Sequence, residues 1–357
     1  MSVLVIAEAG VNHNGSLDRA LQLIDAAAAA RADAVKFQSF RASAIVSRHA
    51  RKAAYQERTT GSDETQFEMI KRLELSEADH RVLIAHAKSA GIAFLSTPFD
   101  EDSVDMLVRG LDLRSIKVAS GEITNAPLLL RIAHSGCRII LSTGMSTLAE
   151  VEAALGILAF GMLMPSEVPS PGACKQAAAS QAGQALLHER VMLLHCTTEY
   201  PAAVAETNLR AMETMQQAFG LPVGYSDHTE GIHIAVAAVA RGACAIEKHF
   251  TLSRDLPGPD HKASLEPAEL TAMVAAIRDV EAALGDGAKQ PSMTEIKNRA
   301  VVRKSLVAAR DIAVGELLTA ENLTCKRPGG GISPMHYWDW LGRPAQRPYA
   351  TDELIEP

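Results

Sequence analysis

The sequence predicts an α/β protein: a (β/α)8 barrel of about 250 residues followed by a small C-terminal domain. Three observations predict it. Eight short apolar runs alternate with amphipathic or alanine-rich segments. Nearly every apolar run ends in polar residues of the kind that do chemistry. After GDGAKQPS, near residue 285, the texture changes to short, turn-rich segments.

The strand candidates are VLVIAE (3–8), AVKFQ (34–38), IAFLST (92–97), SIKVAS (115–120), RIILST (138–143), VMLLHC (191–196), PVGYS (222–226) and CAIEKH (244–249). Helix-like segments lie near 16–30, 76–90, 101–109, 126–135, 146–160, 206–219, 229–241 and 267–284, with Ser16, Ser76 and Ser146 as N-cap candidates. Strand followed by helix, eight times over, asks for parallel strands with right-handed crossovers. Closing them gives the barrel; a doubly wound open sheet is the alternative. Residues 41–75 lengthen the loop after the second strand and contain KAAYQ and a helical QFEMIKRLEL. Residues 160–189 hold PSEVPSPG and an Ala/Gln/Ser-rich stretch, expected to be a mobile surface loop. The expected domains are residues 1–285 (barrel), 286–297 (linker) and 298–357 (tail domain).

Composition narrows the function. Hydrophobic residues make up 47% and charged residues 22%, as in ordinary globular proteins. A net charge of -7 argues against a general nucleic-acid binder, though a few lysines can still make a local anion pocket. The five cysteines form no CxxC pair, which points away from a disulfide framework or zinc knuckle and toward a reducing cytoplasm. The first apolar run lacks a basic flank and ends in Glu8, so it reads as a buried strand, and no membrane-spanning run is present.

In a (β/α)8 barrel the active site is built at the C-terminal ends of the strands. Those ends carry Glu8 with Asn12, His13 and Asn14; Lys36 and Gln38; Ser96 and Thr97; Lys117, Ser120 and Glu122; Ser142 and Thr143; His195, Thr197, Thr198 and Tyr200; Ser226, Asp227 and His228; and Glu247, Lys248 and His249, with Asp260 beyond. His228 and His249 end consecutive strands, roughly 5 Å apart across a sheet, and two imidazoles with nearby carboxylates suit a divalent transition metal. Lys36 and Lys117, with Thr97, Ser120 and Ser142, form an anion-binding set. Either lysine is also a candidate Schiff-base nucleophile, the rival chemistry. A non-catalytic barrel carrying a binding module is the third class. GxGxxG and Walker-type phosphate loops are absent.

IAEAGVNHNGSLDRA, VKFQ, FLSTPFD, IKVASGE, ILSTGM, LLHCTTEYP, GYSDHT, EKHFT, LPGPDH and KRPGGG, in this order over residues 3–350, resemble the sialic-acid synthase family. The tail resembles its antifreeze-like (SAF) domain. The resemblance implies condensation of phosphoenolpyruvate with an open-chain N-acyl-mannosamine-type sugar, a divalent cofactor (Mn²⁺ or Mg²⁺), and phosphate release by C–O cleavage. It implies His228 and His249 as metal ligands. It implies Lys36, Lys117, Thr97, Ser120, Ser142 and Ser226 as phosphoenolpyruvate ligands, and Glu8 as the acidic residue near the reacting carbons. Gln38, Glu122, Tyr200 and Asp260 match sugar-side or metal-side positions, with Glu8, Lys117 and Glu122 grouped as catalytic. Arg327 of KRPGGG looks like the residue that a swapped tail carries to the partner's sugar in a homodimer. Many neuraminate synthases have CTNxYP where this chain has CTTEYP, with Thr198 in place of Asn. KAAYQ and SGEITNAPLL also look like the legionaminate branch, which takes 2,4-diacetamido-2,4,6-trideoxymannose; neuraminate and pseudaminate synthesis are the alternatives.

Overall fold

The computed structural model describes residues 2–47, 50 and 65–357. KAAYQ lies outside the described residues. Eight parallel strands, β1 (Leu4–Gly10), β2 (Ala34–Ser39), β3 (Ala93–Pro98), β4 (Ser115–Val118), β5 (Arg138–Ser142), β6 (Val191–Cys196), β7 (Val223–Asp227) and β8 (Ala245–His249), form one sheet. Their order is β3-β2-β1-β8-β7-β6-β5-β4, and its two end strands, β3 and β4, lie against each other. The sheet is therefore a near-closed (β/α)8 barrel rather than an open doubly wound sheet, because β8 pairs back onto β1, chain neighbours pair from β1 to β3 and from β4 to β8, and only β3 and β4 meet without pairing.

Both faces of the sheet are buried, which is why the strands read as apolar runs. The outer face packs on the helices through Val5, Val35, Ile116, Ile139, Leu193 and Ile246. The inner face is plugged by a separate cluster of Ile6, Ala34, Leu95, Ile140, Leu194 and Ala245. Side chains alternate across a strand with period two. Two residues beyond each plug residue comes Glu8, Lys36, Thr97, Ser142, Cys196 or Glu247. The same inward register that fills the barrel bottom with hydrocarbon therefore delivers polar side chains to its mouth.

The helices start where their caps dictate. Ser16 accepts from Arg19 N at the head of Leu17–Ala29, and Ser76 and Asp79 close a capping box at Glu77–Ala90. At Leu148–Leu163 the cap is Thr147, boxed with Glu150, and not Ser146. Ser146 Oγ donates instead to Gly144 O. Residues 160–189 are also not a loop. Helix Leu148–Leu163 runs into them, and Pro171–Ala179 and Gln181–Arg190 fill most of the rest, started by Ser170 and Ser180 side-chain caps. An Ala/Gln-rich composition that looked like low complexity is high helix propensity with caps at both starts. Of QFEMIKRLEL, Gln66–Lys71 is helical.

The chain divides into two compact units, Met1–Gly285 and Asp286–Pro357. The second has its own core of Leu306, Ala308, Ile312, Leu318, Leu323, Ala345, Tyr349 and Ile355 around the antiparallel pair β9 (Ser305–Ala308) and β10 (Leu323–Lys326). Helix Met293–Val302 belongs to this unit and crosses residue 297, where sequence reading ended the linker. Among the described residues no helix is long and apolar enough to cross a membrane.

Candidate active site

The barrel mouth holds a cavity of about 290 Å³. Thirteen of the fifteen anticipated residues line it: Glu8, Lys36, Gln38, Thr97, Lys117, Ser120, Ser142, Thr198, Tyr200, Ser226, His228, His249 and Asp260. Glu122 and Arg327 do not. After β4 the chain turns into a 3-10 segment that leaves Ser120 and Gly121 at the cavity. The carboxylate of Glu122 is taken by Asn125 Nδ2 at 2.7 Å. Arg327 lies in the second unit, exposed, with Nε donating to Val302 O at 2.9 Å.

The floor is a four-membered charge network, all of it buried. Lys36 Nζ sits 2.7 Å from Glu8 Oε2 and 3.6 Å from Glu247 Oε2, and donates to Thr97 Oγ1 at 3.0 Å. Lys117 Nζ sits 3.4 Å from Glu247 Oε1. Ser226 Oγ donates to Glu247 Oε1 at 2.9 Å, and Gln38 Nε2 to Glu8 Oε1 at 3.3 Å. The two carboxylates diverge. Burial pushes Glu8 up to about 7 despite the pull of Lys36, with the charge of Glu247 adding to the rise. Burial also opposes ionisation of Glu247, but Lys117 and Lys36 outweigh it and hold Glu247 down at about 2. Burial lowers Lys117, and Glu247 only partly compensates; for Lys36 the two carboxylates win and its pKa is raised. One carboxylate is thus a fixed anion and the other a group that changes protonation near neutrality.

Beside this network, Ser142 Oγ and Thr198 Oγ1 are buried without a hydrogen-bond partner. Unpaired buried hydroxyls are costly unless a ligand completes them. With Lys36 and Lys117 they line the same cavity.

His228 and His249 stand together, ring centroids 5.6 Å apart, with Tyr200 against both. His228 Nδ1 lies 2.6 Å from the Thr197 carbonyl, which can only accept, so the proton is on Nδ1 and the Nε2 lone pair is free. Ser226 Oγ, 3.4 Å from that Nε2, already gives its proton to Glu247. His249 Nδ1 is buried and unpartnered. Burial lowers His228 to about 4, and burial with the neighbouring His228 lowers His249 well below its usual range, so both imidazoles are neutral at neutral pH. Among the described residues no three His, Cys, Asp or Glu side chains gather as a complete metal cluster. The arrangement fits a cation with two nitrogen ligands and open positions for oxygen donors. Asp260, whose carboxyl burial pushes up to about 6, lines the same space.

An apolar wall of Phe40, Ile45, Met69, Ile70, Leu73 and Phe99 completes the cavity. All but Phe99, which follows β3, come from the extended loop after β2, and periodicity does not mark them as part of the site. Glu247 also ends its strand and is absent from the residues expected at the site; its inward register, two residues beyond Ala245, is the sequence signal that places it there. The same alternation removes other strand-end residues from the site. Ser96 and His80 both bond Ser39, His195 bonds Thr207 O, Thr143 Oγ1 bonds Leu194 O, and Lys248 pairs with Asp227 at 2.8 Å.

A model of the NeuB family matches residues 23–289, and a model of the SAF domain matches residues 303–357. The chain belongs to the NeuB family. This NeuB chain is 53% identical over 352 residues to the N,N'-diacetyllegionaminic acid synthase of Campylobacter jejuni, covering 99% of this chain and 98% of that one. It is 46% identical to the protein of the same name from Legionella pneumophila, covering 96% and 90%. Among solved structures, the N-acetylneuraminic acid (sialic acid) synthetase of Leptospira borgpetersenii shares 33% identity and a TM-score of 0.67, covering 84% of this chain and 90% of that one. The chain is an enzyme of this synthase family, a barrel with an SAF domain at its C-terminus.

Proposed function

We propose that the enzyme condenses phosphoenolpyruvate with 2,4-diacetamido-2,4,6-trideoxymannose and water to give N,N'-diacetyllegionaminate and phosphate, with a divalent metal held by His228 and His249. The observation that carries the chemistry is that one cavity holds two lysines and two unpartnered hydroxyls together with two neutral imidazoles, His228 fixed through Nδ1 and His249 with Nδ1 unpartnered. The sugar rests on the two legionaminate-synthase relatives, and the apolar wall suits a sugar with a C6 methyl and two acetamido methyls.

Lys36, Lys117, Ser142 and Thr198 bind the phosphate and carboxylate, with Thr97, Ser120 and Ser226 around them; Gln38, Tyr200 and Asp260 face the sugar. The enol π pair of phosphoenolpyruvate C3 forms the new bond to the aldehyde carbon, and the carbonyl pair moves to the aldehyde oxygen, which takes a proton. Water adds to C2 and gives one proton to Glu8, which passes it on to the aldehyde oxygen; the bond from C2 to the phosphate-bearing oxygen then breaks with its electron pair on phosphate, and the C2 hydroxyl hands its proton to that phosphate to leave the ketone. Glu8 is suited to this because its pKa lies near working pH. When bound, the cation supplies Lewis acidity toward the aldehyde oxygen. Nitrogen donors favour Mn²⁺ over Mg²⁺, which prefers an all-oxygen shell. We further propose a cytoplasmic homodimer in which the tail brings Arg327 to the sugar end of a second copy's cavity. Phosphate release abolished by EDTA and restored by Mn²⁺, without borohydride trapping of pyruvate, is the expected result. EDTA-insensitive turnover with trapping at Lys36 or Lys117 would establish the Schiff-base aldolase instead.

A further inference from the structure

The Asn12–His13–Asn14 turn follows β1 but contributes nothing to the cavity lining. The side chains of its two asparagines instead reach about 240 residues along the chain, to the loop after β8. Asn12 is fully buried. Its Nδ2 donates to Phe250 O at 2.8 Å and to Ser264 Oγ at 3.0 Å, and Ser264 Oγ donates in turn to the backbone carbonyl of Asp260 at 2.6 Å. A second chain of bonds runs alongside it. Asn14 Nδ2 donates to Pro257 O at 2.6 Å, and Asn14 Oδ1 lies 3.3 Å from His261 Nε2, whose Nδ1 lies 2.7 Å from Thr251 Oγ1.

These contacts fix one pattern of protons. Asn14 Oδ1 can only accept, so His261 carries its proton on Nε2, and Nδ1 shares the Thr251 hydroxyl proton with Ser253 O, 3.1 Å from the same oxygen. Burial lowers His261 to about 4, so this single-proton form is the one present at neutral pH. Between the two chains, Gly258 at φ +154° brings its backbone so close that a Cβ would stand 2.7 Å from Asn14 Oδ1 and 2.7 Å from the His261 ring. Only glycine permits that approach.

We propose that Asn12 and Asn14 are positioning residues that clamp the loop 251–264 and thereby hold Asp260 at the rim of the cavity. Asp260 is buried and forms no ion pair among the described residues, so no salt bridge of its own ties the loop down. This inference rests on the proposed function only in placing Asp260 on the sugar side. The loop contains an exposed trypsin site at Lys262.

The test uses the full-length enzyme with Asn14→Ala, Asn14→Asp and the control Asp260→Ala. Tryptic cleavage after Lys262, the KM for the turned-over sugar, and the Kd of phosphoenolpyruvate with Mn²⁺ are each measured. Asn14→Ala loses one strong tether and one weaker one, so cleavage should rise several-fold and sugar KM about tenfold, with phosphoenolpyruvate Kd unchanged. Asn14→Asp keeps the acceptor for His261 and should fall between. If cleavage and sugar KM both stay at wild-type values, the clamp is overturned. Faster cleavage with unchanged sugar KM overturns the positioning role if Asp260→Ala raises that KM. If Asp260→Ala leaves it unchanged too, the clamp stands and the sugar-side reading of Asp260 fails.

Discussion

Replacing Glu247 by Gln tests the charge network most sharply. Glu247 is the one carboxylate within ion-pair distance of Lys117 among the described residues, at 3.4 Å, and one of two beside Lys36, at 3.6 Å. The amide keeps the shape and the Ser226 bond but leaves Lys117 buried without a counter-ion. Breaking one side of a buried pair costs about 3–5 kcal/mol. For a domain of this size that is a fall in Tm of about 10 °C. A purely structural role would stop there. The network predicts a second effect, because the charge of Glu247 helps to raise Glu8. In the variant Glu8 should ionise more easily, and the acid limb of the kcat profile should move down from about pH 7. The assay is phosphate release across pH 5.5–8.5, with melting curves on the same samples. A variant that melts like wild type, or one whose acid limb stays in place while the Tm falls, would refute the reasoning.

Other consequences follow from the same geometry. Glu8 is raised to about 7 by burial, so its ionised form is penalised in the folded state; that penalty grows between about pH 4.5 and 7 and is constant above. Glu8→Gln should therefore melt no lower than wild type at pH 8 while kcat falls about 10²–10⁴-fold, and a large drop in Tm at pH 8 would contradict the assignment. Ser142→Ala and Thr198→Ala remove hydroxyls that have no partner, so denaturant midpoints should hardly move, whereas KM for phosphoenolpyruvate should rise about tenfold for each. His228→Ala should lose Mn²⁺ binding measured by titration of the metal alone, with the barrel still folded by circular dichroism.

The barrel was readable because its strands are buried on both faces and its helices carry their caps in the sequence, as at Ser16 and Ser76. Most of the site was readable for a related reason: in a closed barrel, strand ends converge whatever the side chains are. What failed to read was direction. Period-two alternation sends Asp227 and Lys248 outward into their own buried pair, while Glu247 and His249 point in, and a strand-end residue alone does not reveal which set it joins. Glu122 was misplaced because a 3-10 turn breaks the register after β4. The helices within 160–189 were missed because Ala, Gln and Ser are common to capped helices and to flexible linkers alike. The apolar wall is gathered from separate places, the helix Gln66–Lys71 with Phe40, Ile45, Leu73 and Phe99, and only packing together with Val11 brings them to the cavity.

The central claim is a metal-dependent synthase that prefers the trideoxy sugar. It is tested most directly by phosphate release from phosphoenolpyruvate with Mn²⁺, offering 2,4-diacetamido-2,4,6-trideoxymannose and N-acetylmannosamine in parallel, each with and without EDTA. Release should be EDTA-sensitive and much faster with the trideoxy sugar. Faster release with N-acetylmannosamine, or release that ignores EDTA, would contradict it.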